Sequence, residues 1–326
     1  MSTSLPAPQL DVELSPGGPP VLHARAPDDP ARWAADHRDA LRRVVTERGA
    51  LLVRGLGLRD AAQVGSVLER LADRLVPDRE PFAPRSAHGA GLHSSTPWPA
   101  NQPMCMHHES SYTLEPPGLL LFACLTAPAV GGATGVADAT AVLAALPPEL
   151  VARFEQTGWQ LTRTFNEDIG ASVAEAFGTD DRDAVEAYCR AQSIEFRWTA
   201  DGGLQTRQRR PAVIRHPVTG QRCWFNQIAF LSEWTLAPEV REYLVDVYGA
   251  DGLPFTTAFG DGTPIDQETV DLINGVYEDH TAREPWQTGD LLLVDNLRTA
   301  HSREAYEGPR DVLVGMADEV RLDGSR

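Results

Sequence analysis

The chain has 326 residues, of which 42% are hydrophobic, and its 29 basic residues face 46 acidic ones, which gives a formal net charge of −17. All the basic residues are arginine, and the negative balance would repel phosphate backbones, which argues against nucleic acid as a partner. No run approaches the roughly 18 apolar residues that a membrane span needs, and no secretory signal is visible, so we expect a cytoplasmic enzyme. The four cysteines show no C-x-x-C spacing and are expected to be buried free thiols.

The first 75 residues predict a surface arm followed by two helices that flank a strand. Residues 1–28 are rich in Pro and Gly and have few periodic apolar positions, so we expect an arm. Asp29 followed by Pro30 is typical of a helix start, and Ala50–Gly55 reads as a short strand. Apolar positions recur with helical spacing again from Arg59 to Leu75. These elements should pack on one outer face of a β core, within a single domain that covers residues 29–326.

A long connection, residues 76–103, precedes the most informative motif of the chain. It is rich in Pro and Gly, and it contains His93. Connections of this length without an element of their own are usually functional or mobile, so the segment is a candidate lid over a substrate pocket. An ordinary surface loop with solvated histidines is the alternative.

A candidate metal site follows in Met104–Tyr112. In an extended strand His107 and Glu109 point to the same face, while His108 points to the other. One imidazole and one carboxylate are two thirds of a facial metal site, although a lone His-x-Glu is common on solvated strands. The third ligand would be His301, which follows a short apolar run that ends at Asn296.

The middle of the chain alternates between helical and extended patterns. Helices are predicted over residues 147–156, 171–177 and 182–191, as an insertion at about residues 147–192. Strand alternation resumes at Ile194–Trp198. Next come Arg207, in a local excess of arginine that could bind an anionic substrate, and Asn226 and Gln227, which could hold a polar substrate near the metal.

Several motifs in this order resemble one known family. They are Met106–Tyr112, Gly131–Thr134, His216–Gly220 with Trp224–Gln227, and Trp286–Asn296 leading to His301 and Gly308–Arg310. The chain is similar, over roughly residues 35–318, to the taurine-dioxygenase-like (TauD/TfdA) iron(II)/2-oxoglutarate oxygenases, in the branch found in natural-product and antibiotic biosynthesis. The resemblance implies an α+β fold with a distorted double-stranded β-helix, a jelly roll of the cupin kind, with flanking and inserted helices.

The resemblance also implies a set of site residues. Iron(II) would be held by His107, Glu109 and His301, with O2 as the oxidant. The co-substrate 2-oxoglutarate would place its far carboxylate on Arg310 and Thr134. Arg303 is a second candidate for this anchor, and it could instead brace its loop or meet a substrate carboxylate.

The implied reaction is hydroxylation of an unactivated C–H bond of a small, amino-acid-derived substrate, with desaturation or epoxidation as variants. The substrate could be free or tethered to a peptidyl carrier protein. Carriers are themselves acidic, so docking one would need a local arginine patch on this chain. Two other classes of function remain. One is a zinc or manganese cupin such as an isomerase, and the other is an inactive binding protein on the same fold.

Overall fold

The fold comes from a computed structural model, which describes residues 10–83, 85–89, 91–165, 169–199 and 202–322. The strands, in chain order, are β1 (Val12–Glu13), β2 (Val21–His23), β3 (Ala50–Arg54), β4 (Ala87–Gly89), β5 (Leu92–Ser94), β6 (Met104–His107), β7 (Pro117–Thr126), β8 (Val130–Gly131), β9 (Val136–Asp138), β10 (Trp159–Phe165), β11 (Ile194–Trp198), β12 (Leu204–Arg210), β13 (Val213–Arg215), β14 (Arg222–Trp224), β15 (Phe255–Phe259), β16 (Thr281–Ala282), β17 (Leu291–Asp295), β18 (Thr299–Arg303), β19 (Tyr306–Glu307) and β20 (Asp311–Glu319). The helices are α1 (Pro30–Arg48), α2 (Ala61–Leu71), α3 (Ala139–Ala145), α4 (Pro148–Thr157), α5 (Val173–Phe177), α6 (Arg182–Ala191), α7 (Pro238–Tyr248) and α8 (Gln267–Asp279).

Two sheets packed face to face form the core of the molecule. The larger sheet has the strand order β1-β2-β3-β17-β7-β20-β5-β4, and the smaller has the order β16-β9-β18-β6. Between them, Phe122, Val294 and Val314 of the larger sheet cluster with Val136 of the smaller one. Two such sheets with long-range strand pairing make a jelly roll. The predicted α+β fold with a double-stranded β-helix is confirmed.

Strand β7 is central because both of its faces are apolar. Leu120 and Phe122 pack into the core between the sheets, and Leu119 and Leu121 pack on the opposite side, under the helices. Both neighbours, β17 and β20, pair with it in antiparallel register. A run that is apolar at every position is what a strand buried on both faces requires.

Helices α1 and α2 cover the outer face of the larger sheet. Leu41 and Val45 of α1 and Leu68 of α2 are buried against it. The start of α1 follows the sequence signal, because the side chain of Asp29 accepts a hydrogen bond from the Arg32 amide at 3.0 Å and Pro30 occupies the first turn. The two helices therefore lie on one side of the β core, with the site on the other.

A third sheet, with the strand order β11-β12-β10-β15, lies within the long insertion between β9 and β16. Helices α4, α5 and α6 lie close to their predicted positions, but β10 was not predicted. Its alternate residues from Trp159 to Phe165 are buried, and one of these positions is Arg163, whose guanidinium donates to the backbone carbonyls of Glu80 and Pro81. An arginine at a buried position breaks the apolar alternation that would have indicated the strand.

The N-terminal arm and the 76–103 segment contain more structure than the sequence predicted. Strand β2 pairs in parallel with β3 and buries Val21 and Leu22, so this part of the arm extends the larger sheet. Within 76–103, β4 and β5 form a hairpin, and β5 pairs with β20 at the other end of the same sheet. Short strands rich in Gly and Pro lack the alternation that sequence reading depends on.

The four cysteines agree with the expectation of free thiols. All four cysteines are free thiols, and Cys124, Cys189 and Cys223 are buried while Cys105 is half-buried. Among the residues that the structure describes, no helix is long and apolar enough to span a membrane.

Candidate metal centre and cavity

Two adjacent strands of the smaller sheet bring the three predicted ligands together. His107 ends β6 and pairs directly with His301 of β18, and their ring centroids are 4.2 Å apart. Glu109 Oε2 lies 3.6 Å from His301 Nε2, and one donor atom from each of the three residues lies within 4.8 Å of the others. All three side chains are buried.

The backbone at Glu109 differs from the prediction of a continuous strand. Strand β6 ends at His107, Glu109 lies in a turn, and Ser110 has a φ of 53°. The buried side chain of Asn296 fixes this turn, because its Oδ1 accepts from the Glu109 amide at 2.8 Å and its Nδ2 donates to the Glu109 carbonyl at 2.9 Å. Asn296 thus replaces the ladder hydrogen bonds that a strand would have supplied.

The protonation states of the ligands suit a divalent cation. Burial, assisted by the neighbouring His301, lowers the pKa of His107 to about 3, so its imidazole is neutral at pH 7. Its Nδ1 lies 2.8 Å from the Cys105 carbonyl and donates to it in the tautomer that leaves Nε2 as the donor to a metal. Burial acts to raise the pKa of Glu109, but Arg85 and the two imidazoles hold it well below its usual range. The site therefore offers the neutral imidazole of His107, the ring of His301 and one carboxylate.

The donor set and its spacing fit a six-coordinate metal. Two cis ligands at about 2.1 Å from an ion lie about 3 Å apart, and the 3.6 Å between Glu109 Oε2 and His301 Nε2 needs only a small closing movement. Two imidazoles and one carboxylate on one face match the triad of non-haem iron(II) oxygenases and leave three positions open. Zinc and manganese also accept these donor types, so the metal is not fixed by the three residues alone.

A cavity lies next to the three ligands, and Thr134 and Arg310, which were predicted to bind the co-substrate, both line it. Thr134 is buried in its wall. Arg310 donates from Nε to the Gly132 carbonyl at 3.0 Å, and no ion pair to it is present within the described part of the chain. Burial, with a contribution from Arg303, lowers the pKa of Arg310 to about 10, so the guanidinium is still charged at pH 7. A charged and partly desolvated guanidinium without a counter-ion is suited to an anionic ligand.

Arg303 lines the same cavity but its hydrogen bonds are directed elsewhere. It donates to the carbonyls of Trp98 at 3.2 Å, Pro99 at 2.7 Å and Gln102 at 2.7 Å. Of the two arginines that the sequence left open as anchors, Arg303 braces a loop of the 76–103 segment through three carbonyls, whereas Arg310 donates to one carbonyl among the described residues.

The predicted substrate residues are dispersed. Asn226 and Gln227 are buried but do not line the cavity, and Asn226 bonds to Ala212 and Ile228 instead. Arg207 is exposed on the third sheet, opposite Glu195. The geometry does not support a substrate role for these three residues, because none of them lines the cavity. The sequence could not show this, since buried amides and strand arginines look the same as pocket residues in it.

His93 is the exception among them. It lies in β5 directly opposite Val314, which lines the cavity, and paired residues of antiparallel strands share a face. Its Nε2 is buried and has no hydrogen-bond partner in the described part of the chain.

Sequence reading missed two residues that contact the ligands. Arg85 donates to Glu109 Oε1 at 2.8 Å, and the ring of Phe230 stacks on His107 with centroids 4.4 Å apart and planes at 16°. Neither contact could be predicted from the local sequence pattern, because Arg85 and Phe230 both lie in irregular segments. The one available signal for Arg85 was an arginine within a Pro-rich stretch of a strongly acidic chain.

Comparisons with known proteins agree with this geometry. The family model described as "Taurine catabolism dioxygenase TauD, TfdA family" matches residues 15–317. The dapdiamide synthesis protein DdaC of Enterobacter agglomerans is 35% identical over 277 residues, which cover 85% of this chain and 84% of that protein. A clavaminate synthase-like protein of Arabidopsis thaliana is 28% identical over 281 residues, covering 83% and 82% of the two chains.

Solved structures show the same fold at low identity. PvcB of Pseudomonas aeruginosa superposes with a TM-score of 0.57 at 16% identity, covering 99% of this chain and 97% of that one. A second PvcB structure, with a TM-score of 0.56, is described as an Fe, alpha-ketoglutarate dependent oxygenase from an isonitrile synthetic pathway. AAD-2, in complex with Mn(II) and N-oxalylglycine, has a TM-score of 0.54 at 16% identity and covers 96% of this chain and 99% of that one.

Proposed function

Because the chain belongs to the TauD/TfdA family of dioxygenases, we propose that it is an iron(II)- and 2-oxoglutarate-dependent hydroxylase of a small, amino-acid-derived substrate. The single observation that carries the proposal is the cavity itself. It places three metal ligands around one space with Arg310, an arginine that has no acidic partner among the residues that the structure describes. A metal cupin that works without 2-oxoglutarate has no need of that arginine.

Each residue has a defined task in the proposed reaction. His107, Glu109 and His301 would hold iron(II), which when bound supplies O2 activation coupled to decarboxylation of 2-oxoglutarate to succinate and CO2. Arg310 would pair with the far carboxylate of 2-oxoglutarate, and Thr134 would donate its hydroxyl to it. One oxygen atom of O2 enters succinate and the other enters the substrate, which exchanges C–H for C–OH. The protein contributes orientation and exclusion of water.

Glu109 favours hydroxylation over halogenation. A halogenating site of this type needs a small residue at the carboxylate position, so that chloride can occupy the metal. Here the Glu109 carboxylate fills that position, 3.6 Å from His301 Nε2. Desaturation or epoxidation remain alternatives that the shape of the substrate would select.

The names of the relatives support a substrate from natural-product synthesis. DdaC is named for dapdiamide synthesis, and PvcB is described as part of an isonitrile pathway. We therefore propose an amino-acid-derived precursor, free or tethered to a carrier protein. A tethered substrate would require an acidic carrier to approach a chain with a net charge of −17. Because salt screens this repulsion, the turnover of a carrier-tethered substrate should increase with ionic strength.

The decisive experiment measures succinate and product mass together. The protein is loaded with iron(II) and incubated with 2-oxoglutarate, O2 and a panel of free amino acids, or the same aminoacyl groups on a carrier. We expect succinate in amounts equal to a product heavier by one oxygen atom. Conversion of a substrate without 2-oxoglutarate, with zinc or manganese in place of iron, would instead establish a different metal cupin. Absence of succinate across the whole panel would point to a binding protein.

A further inference from the structure

Glu109 uses its two carboxylate oxygens for two different neighbours. Oε2 faces His301 Nε2 at 3.6 Å, on the side where the metal ligands converge. Oε1 accepts a hydrogen bond from Arg85 Nη2 at 2.8 Å. Arg85 lies 24 residues earlier in the chain, within the 76–103 segment, and its side chain is 11% exposed while that of Glu109 is 8% exposed. The pair is therefore shielded from water.

A second acid lies behind Arg85. Asp78 Oδ2 is 3.6 Å from Arg85 Nε, and its side chain is 12% exposed. The guanidinium is thus flanked by two carboxylates, and only one of them belongs to the metal centre. Asp78 adds a second negative charge on the Nε side of the guanidinium, while Nη2 bonds to Glu109.

We infer that Arg85 is a positioning residue that restricts Glu109 to binding the metal through one oxygen. This inference rests on the metal site of the proposed function. A charge-assisted hydrogen bond to Arg85 holds Oε1 and disfavours its coordination, while Oε2 faces the other ligands. Single-oxygen binding by Glu109, together with His107 and His301, would leave three positions of a six-coordinate metal open, enough for a chelating co-substrate and O2.

A purely structural ion pair would have different consequences. Partners of ligating carboxylates orient the ligand, and their loss typically weakens metal binding by about 10- to 100-fold. An ion pair that only holds the segment in place would change its stability and leave metal binding unaltered. The same segment provides such a pair for comparison, because Arg79 lies 3.0 Å from Glu319 and 3.8 Å from Glu115, neither of which belongs to the metal cluster.

The test uses Co(II) as the probe, because its visible absorption reports both binding and coordination number. Co(II) is titrated into the metal-free full-length protein, into Arg85→Gln and Arg85→Lys, and into Arg79→Gln as the matched control. We expect Arg85→Gln to weaken Co(II) binding about 10- to 100-fold and to change the absorption intensity as Oε1 becomes free to coordinate. Arg85→Lys, which retains a cationic donor, should recover most of both properties, and Arg79→Gln should match the unmodified protein.

The outcomes separate this inference from the proposed function. If the unmodified protein fails to bind Co(II), the metal site of the proposed function is wrong. If it binds Co(II) and Arg85→Gln binds equally well with the same spectrum, only the role of Arg85 is overturned, and a contact with the substrate becomes the better explanation. If Arg85→Gln does not fold, the Arg85→Lys variant decides. An Arg85→Lys protein that folds normally but gives a Co(II) spectrum unlike that of the unmodified protein would contradict the inference.

Discussion

The two sides of the cavity are held in place by different kinds of interaction. On one side, His107, His301 and Arg310 are on or next to strands of the jelly roll, so backbone ladders fix their positions. On the other side, the 76–103 segment pairs with β20 through β5, and elsewhere side chains bond to its carbonyls, as Arg303 does at Trp98, Pro99 and Gln102. A single substitution can loosen the second side and leave the first intact. Cofactor chemistry and substrate access can therefore be altered separately.

Removing Glu109 should have the largest effect on the strand side. Glu109→Ala leaves two imidazoles, which bind iron(II) far more weakly than the complete triad, so succinate formation should fall to the level seen without protein. Glu155→Ala, at an exposed ion pair with Arg222 on the surface, is the matched control and should retain full turnover. A chlorinated product from the unmodified protein in the presence of chloride would show that Glu109 does not occupy the metal.

Arg310→Ala should reduce the use of 2-oxoglutarate without altering the fold. A hydrogen bond to a charged group contributes about 1.5–3 kcal/mol, so the KM for 2-oxoglutarate should rise about 10- to 100-fold. The KM for the substrate should change much less, and steady-state kinetics with each reactant varied separately would show the difference. An unchanged 2-oxoglutarate dependence would transfer the anchor to Arg303.

Arg303→Ala should loosen the other side of the cavity. The carbonyls of residues 98, 99 and 102 lose their common donor, and amide hydrogen exchange in residues 76–103 should accelerate about tenfold, equivalent to about 1.4 kcal/mol of lost local stability. Exchange in β7 and β17 should not change. Arg207→Ala, at an exposed position of the third sheet, serves as the control. Equal exchange in the two variants would argue against the candidate lid.

The pH dependence of co-substrate binding should show the smallest effect. Burial lowers the pKa of Arg310 to about 10, and 2-oxoglutarate binds the charged form. Affinity should therefore be constant through neutral pH, about twofold weaker at pH 10, and tenfold weaker per further pH unit. Measured KM values between pH 8 and 11 would test this, with Arg310→Ala as the reference, whose weak binding should have no such inflection.

The sequence predicted the strand side of the cavity far better than the other. Short apolar runs that can be recognised locally lie next to His107, Glu109 and His301. These runs become β6 and β17, and His301 lies in the following strand, β18. Arg85 and Asn296 could not be assigned roles, because each acts on a residue far away in the chain. Strand β10 was hidden for a related reason, since the buried Arg163 within it is satisfied by carbonyls about 80 residues earlier. A side chain that hydrogen-bonds to backbone groups far away in the sequence produces no periodic pattern around itself.

The bridge made by Asn296 also bears on when the metal centre can form during synthesis. Asn296 bonds to Glu109 across 187 residues of chain, and His301 lies further still toward the C-terminus. Chains emerge from the ribosome N-terminus first, so His107 and Glu109 spend most of translation without their third ligand or the turn that aims them. Contacts of such long range also form slowly. A nascent chain that ends before Asn296 and His301 therefore has no complete triad for a metal.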